Sequence, residues 1–166
     1  LEGREEKVAL VAREIEKDLK ILGCTGIEDR LQEGVPEAVD YLLKAGLQIW
    51  VLTGDKTETA INIAHSANVL QTGTELIIIG EKKYNNMNKK QIIKAKRKRI
   101  KKKLERALTL LDLEENSTKK YALVIDGDCL KYALETQPKL FAAVGGKCYS
   151  VICTRVTPLQ KVFLFF

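Results

Sequence analysis

Apolar positions along the chain recur with two periods, and the switches between them outline a fold. Val8, Val11, Ala12, Ile15 and Leu19 stand at helical spacing with charges between them, which predicts an amphipathic helix over 5–19. "LKILGCTGIE" follows as an apolar run suited to a buried strand, and "DRLQEGVPE" then supplies turn signals and a proline near a helix start. Apolar residues at 35, 38, 39, 42 and 43 predict a helix to Lys44, closed by Gly46 as a left-handed cap. "LQIWVLT" reads as a second strand. Ala60, Ile61, Ile63, Ala64 and Ala67 give another helix ending near Asn68, and "ELIIIG" a third strand.

From about Lys82 to Leu113 one apolar face runs through Ile93, Ile100, Leu104, Ala107, Leu108 and Leu111 of a long, very basic helix. "KKYALVIDGD" is a fourth strand ending in a turn, "CLKYALE" and residues 138–145 are short helices, "YSVICTR" is a fifth strand, and "VTPLQK" opens a last helix. Strands alternating with helices predict an α/β fold: a doubly wound, mostly parallel sheet with helices on both faces. Ligands of such sheets bind at the carboxyl ends of the strands. Three polar clusters fall there: Thr53-Gly54-Asp55, Asp126-Gly127-Asp128, and Thr154-Arg155 leading to Lys161.

A length of 166 residues suits one domain with a protruding insertion. No uninterrupted apolar run approaches the roughly eighteen residues that span a bilayer. Position 1 is not Met and the chain ends in "KVFLFF", so we expect a piece of something larger. Cys24, Cys129, Cys148 and Cys153 lack CxxC spacing, which favours reduced, buried thiols over disulfides or a metal site. His65 is the only histidine, which removes His dyads and His-rich metal clusters. The net charge of +6 is local: residues 82–106 carry thirteen Lys or Arg against Glu105 alone, and the remainder is net acidic.

The turn after "IWVL" has two readings. As plain structure, Asp55 is a good N-cap and Glu58 completes a capping-box pattern. As chemistry, a helix N-terminus offers free N–H groups, Gly54 lets a ligand approach the backbone, and the Thr53 hydroxyl can donate to a phosphate oxygen. Lys161 and Arg155, after the fifth strand, can reach the same edge and balance phosphate charge, although each alone also reads as a surface cation at a helix start.

The stretch "IEDRLQEGVPEAVDYLLKAGLQIWVLTGDKTETAINIAHSANVL", with "LVIDGD" and "VICTRVTPLQK" in that order, resembles the phosphorylation domain of P-type ATPases, within the haloacid-dehalogenase-like superfamily. It is most similar to the type IV, phospholipid-transporting (flippase) branch, and the likeness covers most of the chain outside 80–120. The resemblance implies that ATP phosphorylates an Asp in a DKTGT motif and that the aspartyl-phosphate is then hydrolysed. It makes Thr53 the hydroxyl donor to the phosphoryl group and Lys161 the cation that neutralises it, the two catalytic assignments. Gly54, Asp55 and Arg155 match nucleotide-contacting positions, and Asp29 matches an acid at the hinge to the nucleotide-binding domain. The "IDG" at 125–127 recurs in that branch, and we read it as a strand-end turn.

Neither DKTGT nor GDGxND occurs in these 166 residues. The expectation is therefore a partial domain that by itself does not turn over ATP, with no metal ligands of its own and with Mg²⁺ ligands outside it. Residues 1–18 are expected to form a helix ending the nucleotide-binding domain, and 19–166 the C-terminal part of the phosphorylation domain with a basic helical insertion at about 80–120. The implied parent is a multi-pass membrane protein with this part on the cytosolic side. Its implied partners are ATP, a phospholipid and an accessory subunit. The basic segment 82–106 reads first as a solvated face with one packed side. Its functional alternative is attraction to an anionic leaflet, and with Tyr84 alone for base stacking no specific nucleic acid is expected. The rival functions are a soluble phosphatase of the same superfamily and a basic interaction module acting through 82–106.

Overall fold

The computed structural model describes residues 3–26, 30–82, 84–85, 87–115 and 117–165, the side chains of Phe163 and Phe165 excepted. It divides into two units, Leu1–Arg30 and Leu31–Phe166. The first contains α1 (Arg4–Ile15), which opens with Glu5 and Glu6 and ends with Arg13, charges that suit the helix dipole at both ends. The strand expected in "LKILGCTGIE" does not form: residues 19–26 are irregular and no ladder includes them. Ile21 and Leu22 are 90% and 92% exposed. A run of apolar side chains becomes a strand only when neighbouring backbone takes up its N–H and C=O groups, and Gly23 and Gly26 weaken the run further.

The second unit is a four-stranded, wholly parallel sheet in the order β1-β4-β3-β2, made of β1 (Ile49–Leu52), β2 (Glu75–Ile79), β3 (Tyr121–Asp126) and β4 (Ser150–Thr154). Its helices are α2 (Val35–Lys44), α3 (Thr57–Ser66), α4 (Lys89–Leu113), α5 (Gly127–Thr136), α6 (Pro138–Lys147) and α7 (Pro158–Phe165). The sheet is covered on both faces. Leu123, Ile125, Val151 and Cys153 point into a core shared with α4, α5 and α6. The alternate residues Ala122, Val124 and Ile152 meet Ala60 and Ala64 of α3, against which Val35 and Val39 of α2 also pack. Period-two alternation along β3 and β4 thus feeds two cores, which is why both strands read as continuous apolar runs.

The helix ends follow local chemistry. Gly46, at φ 80°, closes α2 in a Schellman motif: its own amide donates to the Leu43 carbonyl at 3.1 Å and the Leu47 amide to the Leu42 carbonyl at 3.0 Å. The long basic helix starts at Lys89, later than the sequence pattern, because Asn88 and Gln91 form a reciprocal capping box. Ile100, Leu104, Ala107 and Leu111 of α4 are buried, so one side packs and the cationic side is left outward. No helix among the described residues is long and apolar enough to cross a membrane.

Candidate functional site at the carboxyl edge of the sheet

Register brings three strand ends level. Leu52 lies opposite Cys153, Cys153 opposite Ile125, and Asp126 opposite Thr154. All four strands are parallel, so the loops after β1, β3 and β4 leave one edge, where α3, α5 and α7 also begin.

The loop after β1 is a tight hydroxyl turn. The Asp55 amide donates to Thr53 Oγ1 at 3.1 Å, and the Thr53 hydroxyl donates to the Asp55 carboxylate. Backbone bonds join this turn to the β4–α7 loop. The Val156 amide donates to the Thr53 carbonyl at 2.9 Å, the Arg155 amide to the Asp55 carbonyl at 3.0 Å, and the Thr53 amide to the Cys153 carbonyl at 3.0 Å. The expected capping box of Asp55 with Glu58 is therefore absent. Lys56 is the N-cap of α3 and has no side-chain capping bond. Asp55 is occupied by Thr53 on one side and reaches across to Arg155 with its carbonyl, and the helix starts one residue later than an Asp55 cap would have it.

Arg155 is held at φ 52°, a left-handed conformation that costs a non-glycine residue on the order of 1–2 kcal/mol. Its half-exposed guanidinium lies 4.0 Å from Asp126 Oδ2. Asp126 is only 6% exposed, and its other oxygen caps α5 by accepting from the Asp128 amide at 3.0 Å. Asp128 in turn pairs with Lys96 of α4; that hydrogen bond raises the Lys96 pKa, against the opposing effect of burial. Gly127 touches the same loop: a Cβ there would stand 2.3 Å from the Arg155 carbonyl oxygen. On the near side, the Thr57 and Thr154 hydroxyls meet at 3.1 Å.

Helix α7 is anchored by its own first turn. The Thr157 amide donates to Gln160 Oε1 at 2.9 Å and the Gln160 amide to Thr157 Oγ1 at 3.4 Å, while Gln160 Nε2 donates to the Gly127 carbonyl at 2.6 Å. A groove of about 750 Å³ opens here, with Asp128, Lys131, Arg155, Thr157 and Gln160 among its walls.

The structure therefore gathers Thr53, Gly54, Asp55 and Arg155 on two joined loops. Lys161 stands one turn into α7, half-buried, with its amide bonded to the Thr157 carbonyl at 3.1 Å. Among the described residues no hydrogen bond or ion pair joins its ammonium to Thr53, Asp55 or Arg155. Asp29 lies outside the described residues. Sequence reasoning read Asp126 and Gly127 as a strand-end turn and missed that they also hold the Arg155 loop; an Asp-Gly at a strand end, where an N-cap belongs, was the available signal.

Chemically the edge suits a phosphate. It offers a hydroxyl, a cationic fork, and at Gly54 a backbone with open space above it, since nothing lies within 4 Å of a Cβ placed there. Those features fit the phosphates of a nucleotide such as ATP. No group of three or more His, Cys, Asp or Glu able to hold a metal occurs among the described residues.

The chain is 43% identical to probable phospholipid-transporting ATPase 4 of Arabidopsis thaliana, over 97% of its own length. It is 42% identical to phospholipid-transporting ATPase DNF1 of Chaetomium thermophilum over 97% of its length, and 41% identical to phospholipid-transporting ATPase DRS2 of Saccharomyces cerevisiae over 99%. The chain belongs by sequence to the phospholipid-transporting P-type ATPases. It covers 13%, 11% and 11% of those three relatives, so it corresponds to one segment of a flippase-family protein. No protein-family model matches it. The parallel, doubly wound sheet is the architecture that the resemblance to a haloacid-dehalogenase-like phosphorylation domain implied.

Proposed function

We propose that the full-length protein is a phospholipid-translocating membrane ATPase that works through an aspartyl-phosphate, and that this chain supplies the cytosolic edge that holds ATP. The observation that carries the reading is the backbone pairing of the Thr53–Asp55 turn with Arg155 and Val156, which makes one donor-rich ledge from two distant motifs. ATP would bring a transferable γ-phosphoryl group and the negative charge that this ledge is built to receive.

In this reading the Thr53 hydroxyl turns from the Asp55 carboxylate to a phosphoryl oxygen. Lys161 neutralises that oxygen and the nucleophile, Gly54 and Asp55 contact the nucleotide, and Arg155 offers its fork to it. Asp29 faces the nucleotide from the hinge. Mg²⁺ is held by carboxylates outside these residues. The chain alone, with neither DKTGT nor GDGxND, does not turn over ATP. Residues 1–18 close the nucleotide-binding domain, and 19–166 belong to the phosphorylation domain. The lipid is met by membrane segments, with an accessory subunit beside them, and residues 82–106 face an anionic leaflet.

The test is made in the full-length enzyme. Thr53→Ala and Lys161→Ala should each slow aspartyl-phosphate formation from radiolabelled ATP by roughly 10²–10³-fold, the usual loss of a positioned electrostatic donor. Wild-type labelling rates in both variants would falsify the assignment.

A further inference from the structure

Helix α4 carries more positive charge than its packing uses, and the surplus is gathered in one place. Several of its cations have structural work. Lys96 pairs with Asp128, Arg97 lies 3.9 Å from Glu135, and Lys101 lies 3.8 Å from Glu105. Arg99 donates to the Gly80 carbonyl at 2.8 Å and Lys103 to the Ile78 carbonyl at 2.8 Å, so these two cover the carbonyl groups at the end of edge strand β2. Lys98, Lys102 and Arg106 are different. They stand at i, i+4 spacing on one ridge of α4, exposed, and no hydrogen bond or ion pair to any described residue occupies them.

That ridge and the neighbouring ridge of Ala95, Arg99 and Lys103 form the floor of a groove of about 440 Å³, closed by Lys82 and Tyr84 from the segment before the helix. Among the described residues six cationic side chains thus line one concavity, and no acid does. Burial, and next the nearby Arg99 charge, lower the pKa of Lys103. The Tyr84 hydroxyl is buried in the groove wall without a hydrogen-bond partner among the described residues. An anion seated in the groove would relieve the mutual repulsion of the cations.

We propose that this groove is a binding site for a compact anion bearing several phosphate groups, separate from the ATP-facing edge at Thr53. Diffuse attraction to an anionic surface needs only outward-pointing lysines. It does not need a concavity or a guanidinium already braced at its floor. Phosphate is the matching chemistry because Arg99 and Arg106 supply forks, the lysines supply point charges, and closely spaced phosphates are the anions whose charge density meets six cations within one small groove. The inference sharpens the leaflet-facing reading of 82–106 from a charged face to one site, and it does not depend on the ATPase assignment.

The test titrates the 166-residue chain with inositol hexakisphosphate by calorimetry. Two charge-matched triple variants accompany it: Lys98→Gln with Lys102→Gln and Arg106→Gln in the groove, and Lys89→Gln with Lys90→Gln and Lys94→Gln on exposed positions of the first turns. We expect one-to-one binding, weakened roughly tenfold or more by the groove variant and less than about threefold by the control. Equal losses in the two triple variants, or no loss in the groove variant, would overturn the proposal. Two vesicle arms identify the source. Retention on vesicles carrying a phosphatidylinositol bisphosphate, above that on phosphatidylserine vesicles of equal surface charge, assigns a lipid headgroup. Binding of the soluble anion with no retention on either vesicle assigns a free polyphosphate. Equal retention on both vesicles, or tighter binding of an RNA oligonucleotide at equal phosphate concentration, would sink the site and leave only diffuse charge.

Discussion

Replacing Gly127 by alanine adds a single methyl group at the joint between β3 and α5, and the structure says that the cost falls on a different loop. The new Cβ would lie 2.3 Å from the Arg155 carbonyl oxygen, 2.9 Å from the Arg155 carbonyl carbon and 3.2 Å from the Thr154 carbonyl oxygen. A comfortable carbon–oxygen contact is about 3.3 Å or more, so the β4–α7 loop must retreat by about 1 Å. The atoms in the way are backbone, not the far end of a flexible side chain. They are also tied at the back, through the Arg155 and Val156 amides, to the carbonyls of Asp55 and Thr53. Overpacking against so constrained a neighbour should cost about 3 kcal/mol. For a domain of this size that lowers Tm by roughly 6–12 °C.

Thermal and urea denaturation of the isolated chain measure the stability term, with Gly146→Ala as the control. Gly146 lies in α6 with nothing within 4 Å of an added Cβ, so that variant should be neutral or gain up to about 1 kcal/mol from helix propensity. The loop shift has a second readout in the full-length enzyme, where a displacement of about 1 Å at Arg155 should slow phosphorylation by up to about 10²-fold. A Gly127→Ala chain as stable as wild type, within about 0.5 kcal/mol, would refute the idea that Gly127 is there to let the Arg155 loop close.

The buried thiols give a pH test. Burial pushes the Cys148 and Cys153 pKa values up from 9.0 to about 12, so the native state keeps its protons where the unfolded chain has lost them. Stability should be flat below pH 9 and fall between about pH 9 and 12, by up to about 1.4 kcal/mol per pH unit for each thiol; a level profile to pH 11 would contradict it. Cys24 is exposed, whereas Cys129, Cys148 and Cys153 are buried, so one thiol should react rapidly with a disulfide reagent before denaturation and four after it. The Lys96–Asp128 pair is partly screened, with side chains 17% and 40% exposed. A double-mutant cycle with Lys96→Met and Asp128→Asn should return a coupling of about 1 kcal/mol, and additivity within about 0.3 kcal/mol would show the pair to be idle.

Much of this was legible along the chain because its signals are local. The 3.6-residue spacing of Ile100, Leu104, Ala107 and Leu111 is a property of one helix, and it is the face that α4 buries. Gly46 and Asn68 end their helices at positive φ, 80° and 59°, as residue type alone suggested. The two misreadings have a common origin. "LKILGCTGIE" had the composition of a strand without an edge to pair with, and Asp55 had the position of an N-cap but a stronger local partner in Thr53. Composition states what a residue can do. Its neighbours decide which of its options is taken.

The sequence by itself determined the alternation of strands and helices, the parallel doubly wound class, the likeness to phospholipid-transporting ATPases and the identity of the polar residues at the strand ends. These follow from periodicity and from short motifs, each contained within a few turns of chain. Only the tertiary structure decided the strand order β1-β4-β3-β2, and with it that the loop after β1 is bonded to the loop after β4. Only there did Gly127 become the contact that lets Arg155 close, and only there did the cations of α4 separate into those bonded to β2 or to acids and those left unpaired along a groove. The physical reason is the same in each case: hydrogen bonds, steric fit and charge repulsion act over a few ångströms, between residues that the chain keeps far apart until it folds.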